Sequence, residues 1–504
     1  RADSDAQDAI LTSLTQPGAE VADGIAVAGL EQEAIKETLA QEQQAAMPRF
    51  PHTDYGNAER MVYRHGENLR HCGAWKTWLF WREGRWQLDE TGVAMRAAKQ
   101  TVRCMQTDAD HIEEVEDDPT YAGHLRAWGR ESEASKSLNA MIKLASTEEG
   151  IPVVPQQFDQ NSNLFNVRNG TIDLTTGHCT PHRRANLCMK LSPVRYDPSA
   201  ECPTWRRFLK RILQDNDELV TWMQKAVGYS LTGEIGEKCF FVLYGTGNNG
   251  KSVFTDALRH LVGSYGATAD FSTFLSRKKE GPRDDLADLH GARFVNSSES
   301  ERGAKLAEAF IKNVTGGDEV KARHLYGKLF EFKPQFKLWF SSNYKPVIGG
   351  MDEGIWSRVR LIPFQVTIPK KERDPMLGAK LRAEMSGILN WAIEGCLRWR
   401  REGLGEAKVI TQATAAYRNE MDVLSAFVSD CCETGGEDMM TSKNDIYKTY
   451  QWWAERQGMK KPYTKRTVME MLKERGFPSG KCKQAGPYRD KQVVYGLRVK
   501  TEVE

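Results

Sequence analysis

Residues 239–252 read Cys-Phe-Phe-Val-Leu-Tyr-Gly-Thr-Gly-Asn-Asn-Gly-Lys-Ser. The first six residues are apolar, which suits a buried strand and is too short for a membrane span. The pattern G-x-x-x-x-G-K-[ST] follows at once from Gly245 to Ser252, and residues 253–262 then carry helical periodicity up to Gly263. A strand, a glycine-rich loop and a helix in this order predict a phosphate-binding loop.

The residue types of this loop explain how it would bind phosphate. Glycine lacks the Cβ atom that would block a phosphate chain, so successive N–H groups and the positive helix end can bind the anion. Lys251 is expected to reach the outer phosphates as a solvent-facing ligand, and the Ser252 hydroxyl to bind Mg²⁺. The predicted nucleotide-binding residues are Gly245, Thr246, Gly247, Asn248, Asn249, Gly250, Lys251 and Ser252.

Two later apolar strands end in polar side chains that hydrolysis would need. Residues 293–299 end at Glu299 and residues 336–343 end at Asn343. A P-loop enzyme needs a carboxylate near the γ-phosphate and Mg²⁺, and a polar group that orients the attacking water. Strands of one parallel sheet would bring both side chains to the carboxyl edge, beside the loop. The alternative for each residue alone is an ordinary turn or helix cap.

The segment 316–334 between these strands predicts a hairpin with one basic face. A basic loop that also carries an aromatic residue suits a nucleic-acid backbone, and the alternative is a solvated hairpin. The predicted DNA contacts in this segment are Lys321, Arg323, His324, Tyr326 and Lys328.

Arg358 and Arg360 alternate into the apolar strand that ends at Phe364. A partly buried arginine needs an anionic partner. That partner is either a phosphate held by a neighbouring subunit or a structural carboxylate in the same domain.

Together these motifs resemble the superfamily 3 helicases of the phage and plasmid primase–helicase family. The resemblance extends over about residues 54–499. The segments that carry it are GTGNNGKS, RFVNSSE, TGGDEVKARHLYGKLFEFKP, KLWFSSN-YKP and DEGIWSRVRLIPF, together with the earlier FNVRNGTIDLTTG and GYSLTG.

The resemblance implies an AAA+-type fold, ATP and Mg²⁺ as cofactors, a homo-oligomeric ring of usually six subunits, and 3′→5′ translocation on DNA. It implies that Glu299 is the Walker B acid and metal ligand, Asn343 is sensor 1 and Arg358 is the arginine finger. The basic hairpin would correspond to the DNA-gripping loop of the channel. Ser298 stands where many P-loop ATPases have a second carboxylate, so the division between metal binding and base catalysis stays open.

The sequence predicts an α/β protein with four segments. These are an acidic tether (residues 1–50), an N-terminal α+β domain (51–200), the ATPase domain (201–400) and a winged-helix DNA-binding domain (401–504). Three helices and a hairpin suggest the winged helix, whose third helix begins at Lys465 and Arg466 and would read duplex DNA. The alternative is a helical domain that only packs on its neighbours.

Local patterns also predict individual elements. The sequence predicts a turn at residues 83–85 between two aromatic strands, whose tryptophans suit a core, with base stacking as the alternative. Helices are expected at about residues 91–106, 119–146 and 203–236, and a C-terminal hairpin of strands 481–484 and 492–499.

Charge is unevenly distributed along the 504 residues, although the net charge is only +2. Residues 1–50 hold three basic and nine acidic side chains, whereas residues 456–504 hold thirteen basic and five acidic ones. This asymmetry favours a C-terminal region that faces nucleic acid.

Ten cysteines without a C-x-x-C pair indicate reduced thiols in a cytoplasmic protein, and no apolar run is long enough for a membrane span. The chain starts at Arg1, so we expect a fragment or a processed product, and a primase domain outside it is one expectation. No stretch of this chain resembles a primase.

The motifs are consistent with three hypotheses for the function. The favoured one is a replicative DNA helicase that works with other replication proteins. The second is an origin-binding initiator whose ATPase drives assembly. The third, a small-molecule kinase, is disfavoured by the basic hairpin and the basic C-terminal region.

Overall fold

The computed structural model describes residues 48–276, 283–299, 303–323, 329–436, 438–459, 462–483 and 486–500. The tether predicted for residues 1–50 therefore lies almost wholly outside the described residues. The chain divides into two compact units, one formed by residues up to 155 except 83–85, the other by 83–85 and the residues from 156 onward. The units divide near residue 155, whereas the sequence analysis placed a boundary near residue 200.

The first unit contains helices and a small sheet. Its elements are α1 (Asp54–His65), β1 (Leu69–Cys72), β2 (Thr77–Arg82), β3 (Arg85–Leu88), α2 (Val93–Val115), α3 (Pro119–Ser132), α4 (Ser135–Ala145) and β4 (Pro152–Val153). The sheet order is β3-β2-β1-β4. Glu83 (φ 54°) and Gly84 (φ 74°) form the predicted turn between the two aromatic strands. Trp78 and Trp86 are buried, so these two rings belong to the core rather than to a base-stacking surface.

Two predicted helices of this unit have different limits in the structure. The helix predicted to end near Gln106 continues to Val115. The predicted helix 119–146 is broken into α3 and α4, because Ala134 has an extended backbone (φ −60°, ψ 137°). No glycine or proline marks this break, so the residue pattern carried no signal for it.

The second unit begins with a small antiparallel sheet and two helices. Their order is β5 (Leu164–Val167), β6 (Gly170–Asp173), β7 (Cys179–Thr180), α5 (Pro203–Ile212) and α6 (Asp217–Leu231). Residues 203–236 were predicted as helical throughout, but Gln214 (φ 59°) and Asp215 (φ 53°) are left-handed and separate α5 from α6. Asn216 then caps α6, where its side chain accepts a hydrogen bond from the Leu219 N–H (3.0 Å).

A five-stranded parallel sheet forms the centre of this unit. Its order is β14 (Val359–Pro363), β8 (Phe240–Tyr244), β13 (Lys337–Ser342), β10 (Phe294–Glu299) and β9 (Gly266–Thr268). Alternate residues of β8 enter different hydrophobic clusters, Phe240 and Val242 on one face and Phe241 and Leu243 on the other. Burial on both faces explains the uninterrupted apolar run in the sequence.

The elements from β8 onward are β8 (Phe240–Tyr244), α7 (Lys251–Val262), β9 (Gly266–Thr268), β10 (Phe294–Glu299), α8 (Glu308–Gly316), β11 (Val320–Arg323), β12 (Leu329–Phe332), β13 (Lys337–Ser342), α9 (Glu353–Trp356), β14 (Val359–Pro363), α10 (Leu377–Ala383), α11 (Met385–Glu402) and α12 (Lys408–Met421).

Two buried cations close the amino edge of this sheet. Arg293 precedes β10 and donates to the carbonyl of Leu231 (2.9 Å), while Lys337 begins β13 and donates to the carbonyls of Thr232 and Glu234. Burial lowers the pKa of the Lys337 ammonium well below its usual range. These bonds fix the end of α6 and the residues that follow it, which include the end of the GYSLTG segment, against the sheet edge opposite the phosphate loop.

The C-terminal part contains three helices and short antiparallel strands. They are α13 (Val423–Cys431), β15 (Cys432–Thr434), β16 (Met440–Ser442), α14 (Lys443–Arg456), α15 (Lys465–Glu474), β17 (Ser479–Lys481), β18 (Gln492–Tyr495) and β19 (Leu497–Val499). One sheet has the order β16-β18-β17, and β15 pairs with β19. The predicted strands 481–484 and 492–499 are shifted and divided, because Gly496 (φ 79°) interrupts the second of them.

Within the described ranges, every helix is too short or too polar to cross a lipid bilayer. All ten cysteines are free thiols, and eight of them are buried. Burial raises the pKa of the Cys239 thiol to about 12, so this group is neutral and packs as a small apolar side chain.

Candidate nucleotide site

The glycine-rich loop joins the carboxyl end of β8 to the first turn of α7, as the sequence predicts. A Cβ atom on Gly245 would lie 2.2 Å from the carbonyl oxygen of Phe364, so no other residue fits there. Gly250 has φ +87°, and a Cβ on it would lie 2.6 Å from the Ile212 side chain. At Gly247 a Cβ would meet nothing within 4 Å, so the loop faces open space there. These contacts hold the loop backbone in one conformation, and a phosphate chain can lie on its open side.

Lys251 lies inside this loop rather than in solvent. Its side chain is buried, and Nζ donates to the carbonyl of Gly245 (2.5 Å), to Asn249 Oδ1 (3.2 Å) and to Asn343 Oδ1 (3.2 Å). The expectation of a solvent-facing lysine is therefore wrong, because three neutral oxygens near the loop solvate the ammonium instead of water. Burial lowers the pKa of this ammonium to about 8.

Asn249 connects the loop to the edge strand β14. Its side chain is buried, its Oδ1 accepts from Lys251, and its Nδ2 donates to the carbonyl of Phe364 (3.0 Å). A backbone bond from the Ile368 N–H to the carbonyl of Asn248 (2.8 Å) reinforces the connection. The sequence analysis assigned Asn249 only to nucleotide contact and missed this structural role.

The polar strand ends predicted for hydrolysis lie at the same sheet edge as the loop. In register, Glu299 of β10 pairs with Ser342 of β13, and Ser342 pairs with Tyr244 of β8. Neighbouring strands lie about 4.8 Å apart, so these three backbone positions form a row roughly 10 Å long. Asn343 follows β13 directly and contacts Lys251, and Ser252 is exposed in the first turn of α7.

Arg358 lies at the opposite edge of the same sheet. It directly precedes β14, whose first residue pairs with Phe240 and whose last pairs with Tyr244 beside the loop. Its Nε donates to Thr315 Oγ1 (3.2 Å) and its Nη1 to the carbonyl of Gly354. Among the described residues, the hydrogen bonds of the Arg360 side chain go to the neighbouring carbonyls of Ser357 and Val359. The structure therefore does not bring Arg358 to the Lys251 of its own chain.

The predicted DNA contacts lie on two other surfaces of the second unit. β11 and β12 pair as an antiparallel hairpin in which Lys321 and Arg323 are exposed, and Lys321 forms an ion pair with Glu331 (3.3 Å). The tip residues His324, Tyr326 and Lys328 lie outside the described residues. In α15, Lys465 Nζ contacts Asn444 Oδ1 and Arg466 is exposed beside Glu470.

A further set of residues beside the site was not identified from the sequence. Lys345, two residues after Asn343, pairs with both carboxylate oxygens of Glu420 (2.6 and 2.7 Å). The Tyr417 hydroxyl donates to the carbonyl of Pro346. Lys345 stands in the quoted segment KLWFSSN-YKP, but its partner is 75 residues away, so no local pattern could reveal the pair.

Two family models match parts of the chain. A family described as D5 N terminal like matches residues 58–214. A family of unknown function matches residues 243–358, which include the whole phosphate loop, Glu299 and Asn343.

Similar curated proteins come from viruses. "Putative helicase L207/L206" of Acanthamoeba polyphaga mimivirus is 28% identical over 341 residues, covering 62% of this chain and 35% of the viral protein. "Putative helicase 022R" of Frog virus 3 is 28% identical over 230 residues (42% of this chain, 23% of that protein). "Putative primase C962R" of African swine fever virus is 21% identical over 327 residues (59% and 34%). The chain thus spans about a third or less of the length of these relatives.

Among solved structures, the apo NrS-1 C terminal region is similar with a TM-score of 0.48 and 10% identity, covering 85% of this chain and 96% of that one. In sequence, then, the chain is similar to viral proteins that are named as helicases and primases.

The lowered pKa of Lys251 predicts how nucleotide binding depends on pH. Only the charged ammonium pairs with phosphate, and the pKa of the Lys251 ammonium before phosphate binds is about 8. Affinity for a non-hydrolysable ATP analogue with Mg²⁺ should hence fall about fivefold between pH 8 and pH 9, as the protonated fraction drops. Calorimetric titration at both pH values measures this.

Lys251→Arg is the control, since arginine stays charged over this range. Its affinity should be nearly constant between the two pH values. A constant affinity in the unsubstituted protein, or an equal fall in both, would show that Lys251 is not the titrating group.

Proposed function

We propose that this chain is the ATP-driven motor of a replicative DNA helicase from a phage, prophage or plasmid replication system, an AAA+-type ATPase of superfamily 3. The observation that carries the proposal is the 3.2 Å contact between Lys251 Nζ and Asn343 Oδ1. It joins the phosphate loop to the polar end of β13 at the carboxyl edge of a parallel sheet, where ligands of such sheets bind. β13 lies between β8 and β10, so Asn343 and Glu299 follow successive strands on one side of the loop.

The residues at this edge fit ATP with Mg²⁺. The loop is open at Gly247, and the Ser252 hydroxyl and the Glu299 carboxylate are the oxygen ligands that Mg²⁺ prefers. ATP with Mg²⁺ supplies the phosphoryl group that is transferred. The loop N–H groups bind its phosphates, and Lys251 exchanges its neutral acceptors for phosphate oxygens. Asn343, released from Lys251, would then orient the attacking water and Glu299 would accept its proton, while the bond to the γ-phosphoryl group breaks and ADP leaves.

Two surfaces suit DNA in this proposal. In the β11–β12 hairpin, Val320 and Ala322 are buried while Lys321 and Arg323 face outward, which suits a loop that grips a phosphate backbone in a ring channel. The order α13, β15, β16, α14, α15, β17, β18 supports our proposal of a winged helix, with α15 as the element that enters duplex DNA. Lys465 and Arg466 at its start are then phosphate contacts.

A ring explains why Arg358 lies away from its own phosphate loop. At the other end of β14, the Arg358 side chain is partly exposed, and its hydrogen bonds among the described residues go to Thr315 and Gly354. We propose that it meets the γ-phosphate bound by the next subunit of a hexamer, where arginine fingers contribute roughly 10³ to 10⁵ in rate.

A strand-displacement assay on forked duplexes tests the motor function. The protein should separate a duplex with a 3′ single-stranded tail when ATP and Mg²⁺ are present, and a substrate with only a 5′ tail should stay paired. Glu299→Gln should bind nucleotide normally and lose at least about 10²-fold in hydrolysis and displacement, because the proton acceptor is gone. Hydrolysis without displacement would favour the origin-binding initiator, and unimpaired hydrolysis by Glu299→Gln would refute the assignment of the acid.

Subunit mixing tests the position of Arg358. Arg358→Ala and Lys251→Ala should each be nearly inactive alone, and their mixture should recover part of the ATPase activity. Recovery is expected because an intact Lys251 site then meets an intact Arg358 across one interface. ATPase activity is measured across mixing ratios after subunit exchange has been confirmed.

Arg360→Ala is the matched comparison, since Arg360 lies two residues further along, in β14, and its hydrogen bonds in the described part of the chain go to its chain neighbours. It should keep most of the ATPase activity. Absence of recovery with Arg358→Ala, together with recovery when Arg360→Ala replaces it, would move the arginine finger to Arg360.

A further inference from the structure

Helix α12 connects the parallel sheet to the C-terminal part of the chain. It lies against the edge strand β14, where Thr414 Oγ1 accepts a hydrogen bond from the Leu361 N–H (3.1 Å). It ends at Met421, and the next residue, Asp422, is already the N-cap of α13. Because one residue joins the two helices, a rotation of α13 acts directly on the last turn of α12.

The last turn of α12 holds the loop that follows β13. Glu420 pairs with Lys345, whose side chain is only 14% exposed, and the Lys345 ammonium lies 5.1 Å from the Tyr244 ring centroid. The Tyr417 hydroxyl holds the next residue through the carbonyl of Pro346. The loop is therefore fixed just beyond Asn343, and Lys345 also contacts Tyr244, the residue just before the phosphate loop.

Asp422, the residue that joins α12 and α13, also contacts the residue that follows α15, the candidate DNA-reading helix. Asp422 Oδ1 accepts from the Ser425 N–H (2.9 Å), which caps α13, and from Arg475 Nη2 (2.5 Å). Arg475 directly follows α15, and the side chains of this pair are 16% and 15% exposed. A displacement of α15 is consequently transmitted to the residue that joins α12 and α13.

We propose that Glu420 is a positioning residue that couples DNA binding by the C-terminal part to ATP turnover, by holding Lys345 and through it Asn343. This inference rests on the proposed ATPase function. The connection runs from α15 through the Arg475–Asp422 pair to the end of α12, and from Glu420 to Lys345 beside the site. The Arg475–Asp422 and Glu420–Lys345 steps are side-chain contacts, the others run along the chain, and all of them lie within one compact unit.

Glu420→Gln tests the coupling, because glutamine keeps the shape of the side chain and removes its charge. Nucleotide affinity without DNA and duplex affinity should stay within about twofold of the unsubstituted protein, while the stimulation of kcat by duplex DNA falls about tenfold. A purely structural residue would instead lower the melting temperature and change kcat with and without DNA alike.

Glu402→Gln is a closely matched control. Glu402 is 52% exposed and pairs with Lys225, which is 11% exposed, whereas Glu420 and Lys345 are 53% and 14% exposed. The Glu402→Gln variant should keep the full stimulation by DNA. Equal loss in both variants, or normal stimulation in Glu420→Gln, would overturn the proposal.

Hydrogen exchange in the unsubstituted protein provides a test that needs no variant. Adding duplex DNA in the absence of nucleotide should change exchange at residues 343–350 and 415–421. Unchanged exchange in both segments, with DNA bound, would overturn the coupling. If the protein showed no ATPase activity at all, the proposed function would fail, and this exchange experiment would still decide whether the coupling exists.

Discussion

The buried ammonium of Lys251 imposes the constraint on which the arrangement of the candidate site depends. A charged group removed from water must be given polar partners, because an unpaired buried charge is strongly destabilising. Lys251 receives them from Gly245, Asn249 and Asn343, all neutral oxygens. Asn343 can accept the hydrogen bond from Lys251 only if β13 lies beside β8. The strand order of the sheet and the conformation of the loop therefore depend on each other. Neutral acceptors also make the lysine easy to release, because phosphate oxygens bind an ammonium more strongly.

At the opposite edge of the sheet, the buried cations have backbone carbonyls as partners. Arg293 and Lys337 donate to the backbone carbonyls of Leu231, Thr232 and Glu234, which are fixed parts of the fold and are not exchangeable with a ligand. The Lys337 side chain is buried, and burial lowers the pKa of its ammonium well below the usual range. This edge is therefore closed by the chain itself, while the other is polar and open at Gly247. We therefore expect a ligand at the open edge.

Much of this arrangement follows from local patterns in the sequence. The apolar run before Gly245, the glycine spacing and the strand ends at Glu299 and Asn343 predict one sheet edge, because parallel strands align their carboxyl ends. Long-range contacts were not predictable: Lys251 meets Asn343 across 92 residues, and Lys345 meets Glu420 across 75. The break at Ala134 was also missed, because no glycine or proline marks it. The roles of Glu299 and Arg358 in hydrolysis stay predictions.

The central claim is that Lys251 exchanges its hydrogen bond to Asn343 for a nucleotide phosphate. A double-mutant cycle on the affinity for a non-hydrolysable ATP analogue tests it most directly, with Lys251→Met, Asn343→Ala and the combined variant titrated by calorimetry. Because Asn343 then affects the affinity through Lys251, the two substitutions should show a coupling energy of about 1 kcal/mol or more. Effects that simply add, within about 0.3 kcal/mol, would contradict this exchange.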